Sequence, residues 1–306
     1  MATFQQYLAE LKDEGQPLRA TRLVHLSHLA DEREKAFLDV WPQIQTERRR
    51  RVVSQLTELA EDEVELNFDA IFLACLSDVD AEVRAVAIRG LWEYEHRDLI
   101  EPLIGLLQSD DSVTVRAEAA LALGRFVLQC EFGALPERYF RQVEQALRRV
   151  IGDDGEEMEV RARALEAIGA CSRPWVRQAI STAYRSNSHL LKASGIHAMG
   201  CNCDPSWLPI LLRELKSDDP EMRYEAALAC GSLAEEAAVP HLAPLLEDED
   251  VEVREVTVAA LGEIGGRQAR AVLLRHVDHP SSSTREAVQE ALSQADFAED
   301  PLSFSL

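Results

Sequence analysis

Apolar positions in this chain follow a helical rhythm that restarts every thirty-odd residues. In EDEDVEVREVTVAALGEIGG (247–266), four acids precede a run in which Val253, Thr257, Val258 and Leu261 fall on one side of a helix. Arg254 is set among them. Equivalent runs surround Arg84, Arg116, Arg161, Lys192, Arg223 and Arg285, and the successive steps between these basic positions are 32, 45, 31, 31, 31 and 31 residues. Four residues before each stands Asp80, Ser112, Glu157, Ser188, Asp219, Asp250 or Ser281. Most are side chains that cap helix N-termini by accepting backbone N–H groups. Eight residues after, glycine recurs at 124, 169, 200, 231 and 262, either as a helix stop or as a site of close packing.

A second, shorter apolar segment precedes each of these helices, as in LIEPLIGLLQ (99–108), PWVRQAISTAY (174–184) and WLPILLRELK (207–216). Each repeat is therefore a first helix, an acidic turn and a second helix. Helices this short are marginal alone and bury their stripes on neighbours, which builds a solenoid. The pattern D-x-x-V-R-x-x-A-x-x-A-L-G resembles the HEAT repeats of the short subclass named after phycobilisome lyases, over residues 76–295. That resemblance implies an all-α, right-handed alpha-alpha superhelix of seven or eight helical pairs. Residues 1–75 are expected to hold capping helices and a degenerate first repeat, with Thr46 capping ERRRRVVSQLTELA. An insertion is expected near 125–140, and a flexible tail over 296–306.

The embedded arginine needs partners, because a helix N-terminus disfavours a cation by about 0.3–1 kcal/mol and burial of an unpaired charge costs more. The expected partners of Arg254 are Asp248 and Asp250 of its own turn and Asp218 and Asp219 of the preceding one. Arg84, Arg116, Arg161, Arg223, Arg254 and Arg285 then form a structural ladder along the stack.

Charge and composition narrow the function. With 54 acidic against 32 basic residues the chain carries −22, which disfavours nucleic acid and suits a basic protein partner. No apolar run approaches the ~18 residues of a membrane span. Six cysteines scattered through helical patterns suit a reducing, cytoplasmic setting. Among enzymes of this repeat class, deoxyhypusine hydroxylase carries His-Glu pairs one and two residues after the basic position, and these hold a di-iron centre. The corresponding pairs here are Ala85-Val86, Ala117-Glu118, Ala162-Arg163, Ala193-Ser194, Tyr224-Glu225, Glu255-Val256 and Glu286-Ala287, and none of the eight histidines precedes a glutamate. Cys171, Cys201 and Cys203 cluster at the ends of neighbouring second helices, where zinc binding with His197 or His189, or two of the thiols pairing under oxidation, are the alternatives to small buried fillers.

The expectation is therefore a non-enzymatic scaffold with no cofactor and no metal, gripping a protein or peptide on its concave face. A phycobilin-lyase-like or chromophore-handling accessory role is the alternative that the resemblance implies. The positions left free by the repeat are the candidate contact residues: Arg89, Leu121, Arg125, His197, Tyr224, Glu225 and Leu228.

Overall fold

The computed structural model describes residues 4–299, with side chains through Gln294. Its contacts divide it into two units, Met1–Arg163 and Ala164–Leu306. Among the described residues there are helices and no strands, so the chain is an all-α solenoid. In the first unit the repeat pairs are Asp31–Val40 with Thr46–Asp62, Asp69–Cys75 with Ala81–Gly90, and Ile100–Ser109 with Val113–Ala122; Glu137–Ile151 then precedes Met158–Ile168, the helix across which the division falls. In the second they are Pro174–Tyr184 with His189–Asn202, Leu208–Glu214 with Pro220–Leu233, Val239–Leu242 with Val251–Ile264, and Gly266–Leu274 with Ser282–Glu299.

Capping explains the starts. Asp80, Ser112, Ser188, Asp219 and Asp250 each accept a backbone N–H two or three residues on, and Ser281 does the same for Thr284. Each such cap is worth about 1 kcal/mol. Thr46 is not a cap: it is the first residue of its helix, and Gln45 precedes it without a side-chain cap bond. The insertion is a short helix, Gly124–Glu131, a turn through Gly133 at φ 73°, and the fifteen-residue helix Glu137–Ile151. VPHLAPLLE does not form one helix. It becomes Val239–Leu242 and a 3-10 segment, Ala243–Glu247, because Pro244 has no N–H to donate and its ring crowds the carbonyl four residues back. The expected loose tail is helical as far as Glu299, and 300–306 lie outside the described residues.

The repeated glycines are packing sites. A Cβ on Gly169 would lie 3.0 Å from Cys201 Cβ, and one on Gly200 or Gly231 would lie 2.8 or 2.9 Å from the Cα of Ala229 or Ala260 on the next second helix. The helices stop three residues later instead, at Cys203, Ala234 and Gly265, with φ of 51°, 53° and 63°. Ala234 holds left-handed backbone that costs an L-residue about 1–2 kcal/mol. Ala234→Gly is expected to raise the melting temperature by ~2–4 °C, and thermal unfolding followed by circular dichroism checks it.

The arginine ladder exists, but with different partners. The Nη1 group of Arg84, Arg116, Arg223, Arg254 and Arg285 donates to the carbonyl six residues earlier, that of Asp78, Asp110, Ser217, Asp248 or His279. This closes each arginine's own turn with backbone oxygens. The carboxylate comes from the following repeat. Arg84 makes a two-pronged contact with Asp110 at 2.7 and 2.8 Å, Arg223 does so with Asp248 at 2.7 Å twice, and Arg116 reaches Glu156 at 2.8 Å.

Asp110 and Asp248 stand two residues before the next cap and also accept its N–H, and Glu156, one residue before Glu157, does the same. Where Ser186, Ser217 or His279 fills that place, the carboxylate rung is missing. Arg254 accordingly turns to the Thr284 hydroxyl at 3.2 Å, contrary to the expected aspartates. Arg161 pairs with exposed Asp154 of its own turn, and Lys192 uses Glu214 at 2.8 Å. The sequence reading also missed the ladder's start: Arg49 pairs with Asp78, and Arg50 holds Asp80 with two nitrogens.

Candidate functional site

The open positions of the second helices divide between the two units. In the first, Arg89 is exposed and pairs with Glu118 at 2.5 Å, and Leu121 is exposed at 45%. Arg125 is not presented to a partner: its guanidinium donates to the Ala122 and Tyr94 carbonyls at 3.0 and 3.1 Å and to that of Leu91. It closes the stretch that follows the helix Ala81–Gly90.

In the second unit four open positions on two adjacent second helices lie together. His197 projects from His189–Asn202, and its Nδ1–H donates to Glu225 Oε2 at 3.0 Å. Glu225 comes from Pro220–Leu233, with Tyr224 beside it and Leu228 on the same helix, all three half-buried. Cys201 stands one turn after His197 on the same face of that helix. The ring is thus held by a carboxylate from the next second helix. Cys201 first and Glu225 second push the His197 pKa up to about 10, against the opposing effect of burial, so the imidazole is cationic near neutral pH. One turn earlier, buried Ser194 donates to Glu166 Oε1 at 2.6 Å.

The sequence reading had His197 and Glu225 as contact positions, and Cys201 as a filler, a zinc ligand or one half of an oxidised pair. The residues Cys201, His197 and Glu225, spaced i+4 along one helix and two positions after the basic residue on the next, were the signal for their convergence.

The other thiols do not complete a metal site. All six cysteines are free, Cys171 is buried, and Cys203 turns its Sγ toward the Gly200 carbonyl at 3.3 Å. His189 faces Asp219 and Glu221. Among the described residues, no group of three or more His, Cys, Asp or Glu side chains could hold a metal ion, and no helix is long and apolar enough to cross a membrane.

A thirty-residue helix pair stacked through small residues, with an arginine closing each turn, is the geometry of one repeat family, and the family profile described as HEAT repeats matches residues 69–131, 179–254 and 208–293. The chain belongs to the HEAT-repeat family. This HEAT-repeat protein is 30% identical to deoxyhypusine hydroxylase of Drosophila melanogaster over 126 residues, 40% of this chain and 42% of that protein. It is 27% identical to the Candida albicans enzyme of the same name over 119 residues, 38% and 37% of the two chains. The match thus spans about two fifths of these curated relatives. Among solved structures it resembles the CpcE–CpcF complex of phycocyanin lyase from Nostoc sp. PCC7120, with a TM-score of 0.55, 15% identity, and 92% and 97% of the two chains covered. That likeness shows the fold.

These relatives overturn the expectation of a non-enzymatic scaffold, since the curated proteins that this HEAT-repeat chain matches are enzymes. The expectation rested on the missing His-Glu pairs, and a missing ligand pair speaks only to one metal centre. The residues present do not fit that centre. At the positions the resemblance assigns to ligands, Ser194 is spent on Glu166 and Glu225 on His197, while Ala85, Ala117, Ala162 and Ala193 offer no donor at all. These positions give an iron-dependent step no footing.

Proposed function

We propose that this HEAT-repeat protein is an enzyme acting on a protein or peptide rich in basic residues, taken up along the second-helix face of the Ala164–Leu306 unit. One observation carries the reading: a cationic imidazole, fixed by a carboxylate and one helical turn from a thiol, sits half-open on the second-helix face. A structural role alone gives no reason to order three such groups where solvent reaches them. Tyr224 and Leu228 beside the cluster offer apolar contact. Exposed Glu255 and Glu263 continue the face, and with the net charge of −22 they favour a cationic chain. The same charge opposes nucleic acid and anionic lipid. A reducing, cytosolic setting keeps Cys201 a thiol.

Two measurements test this. Fluorescence anisotropy with a labelled Lys/Arg-rich peptide is expected to show salt-sensitive binding that Glu255→Lys/Glu263→Lys removes. Basic peptides incubated with the protein in extract of its native host are expected to gain or lose a defined mass, and His197→Gln to prevent it. Equal binding of an acidic peptide, or bound peptides of unchanged mass, would refute the proposal.

A further inference from the structure

The geometry points to a second ligand site, at the N-terminal end of the first unit: a cleft that takes an organic monocarboxylate with a compact apolar body. It stands apart from the activity proposed above and outside the residues that the HEAT-repeat profile matches, which begin at 69. Its walls are the helix Phe4–Lys12, the stretch 13–19, the short helix Ala20–Leu23, and Arg48 from the first turn of Thr46–Asp62. The cleft has a volume of about 330 Å³, the size at which small-molecule pockets begin.

Two buried groups in it lack what burial demands. Tyr7 is 5% exposed, and its hydroxyl has no hydrogen-bond partner among the described residues. A hydroxyl taken from water without a partner is costly. Burial raises its pKa against the pull of Arg22, so it remains an O–H donor. Arg48 is 3% exposed, and its guanidinium donates to the carbonyls of Leu11, Gln16 and Glu10. Those bonds tie the loop to the end of the first helix, but none of them is to a carboxylate. The helix C-terminus supplies the equivalent of about half a negative charge, which leaves the cation short of a full counter-charge. Asp13 and Glu14, on the adjoining turn, are exposed to solvent.

The charges at the mouth have the same sign. Arg19 is exposed on the rim. Arg22 lies over the Tyr7 ring at 5.4 Å and pairs with Glu10 through one nitrogen, which leaves further N–H groups of its fork for a second acceptor. Three guanidinium groups thus share the single carboxylate of the lining, in a chain whose net charge is −22. The cleft is a local inversion of the protein's charge. Glu10 and the helix C-terminus also set an upper limit, since they repel a dianion and leave room for one negative charge. A carboxylate matches the guanidinium fork and accepts the phenolic O–H. The rest of the lining, the Tyr7 ring with Leu11, Pro17, Leu18 and Leu23, suits an apolar body.

Isothermal titration calorimetry of the full chain with phenylacetate tests the site, with benzyl alcohol, benzylamine and inorganic phosphate as comparisons. Phenylacetate is expected to bind one to one, and each comparison about tenfold more weakly or worse. Tyr7→Phe is expected to weaken phenylacetate about tenfold with no fall in melting temperature, because the ring keeps its packing and a stranded hydroxyl is removed. Arg19→Gln, a change on an exposed rim, is expected to weaken it about twofold to fivefold and to leave stability unaltered. Both variants keep the fold, so the outcome does not hinge on Arg48, whose loss would free the loop. Benzyl alcohol binding as tightly as phenylacetate would reduce the cleft to an apolar hollow, and phosphate binding as tightly would make it a simple anion site. Either result overturns the assignment, as does unchanged affinity in Tyr7→Phe or the lack of saturable phenylacetate binding at millimolar concentration.

Discussion

Gly200→Ala is expected to lower the melting temperature by several degrees, whereas Gly262→Ala, at the same place in another repeat, is expected to raise it. Alanine is favoured over glycine inside a helix by about 1 kcal/mol, so both changes start from the same gain. The neighbours decide the outcome. A Cβ at Gly262 meets Ala291 Cβ at 3.5 Å, an ordinary contact. One at Gly200 meets Ala229 Cα at 2.8 Å and its Cβ at 2.9 Å, and backbone cannot swing aside as a long side chain can. Pushing the two helices apart loosens an interface of buried alanines, and overpacking of this kind costs about 1–3 kcal/mol. Since 1 kcal/mol moves the midpoint by about 2–4 °C at this size, the two variants are expected to melt on opposite sides of wild type. A Gly200→Ala protein as stable as Gly262→Ala would mean that the helices part without cost.

Arg223→Ala is expected to cost about 2–3 kcal/mol and Arg254→Ala about 1 kcal/mol less. Arg223 meets a nearly buried carboxylate with two nitrogens, and removing it strands Asp248 as well as the turn carbonyls. Arg254 gives up bonds to neutral oxygens only. Charge-assisted pairs are the stronger class. The difference also has a pH signature. Burial by itself would raise the Asp248 carboxyl, but the Arg223 guanidinium, the Asp250 N–H and the charge of Arg254 outweigh it and hold the group below its usual range. A carboxyl depressed in the folded state contributes stability above its unfolded pKa of ~3.9, and that contribution is lost as pH falls through the lower folded value. Asp248→Asn is therefore expected to unfold with a shallower slope below about pH 4 in urea titrations. An identical slope in the variant would remove the pair from the acid transition.

Much of the fold could be read before any coordinates, because the repeat writes each element several times over. Six caps and the apolar stripe follow from local chemistry that the turn itself satisfies. What escaped depends on partners from elsewhere in the chain. Arg254 has the motif of Arg223, yet its bonding depends on Thr284 and His279 a repeat away. Arg125 has an open position by spacing and is consumed by the Ala122 carbonyl and by those of Leu91 and Tyr94 in the preceding repeat. The glycines were ambiguous between cap and contact until the neighbouring helix was in place. The candidate site was half legible: the spacing exposed His197, Glu225, Tyr224 and Leu228, but the bond between His197 and Glu225 emerges only once the neighbouring helix is in place.

The forward reach of the arginines gives the stack a grammar. Five of the second helices close their own turn with backbone oxygens that any sequence supplies, and their arginines ask the next turn for one acid. A duplicated 31-residue segment would thus close its own turn in any place within the stack, while its bond to its successor depends on a single downstream letter. Asp110 and Asp248 spell that bond, and Ser186, Ser217 and His279 leave it blank. The module that is copied and the module that is cross-braced are therefore out of phase, and a repeat array of this kind can be lengthened freely but stiffened only joint by joint.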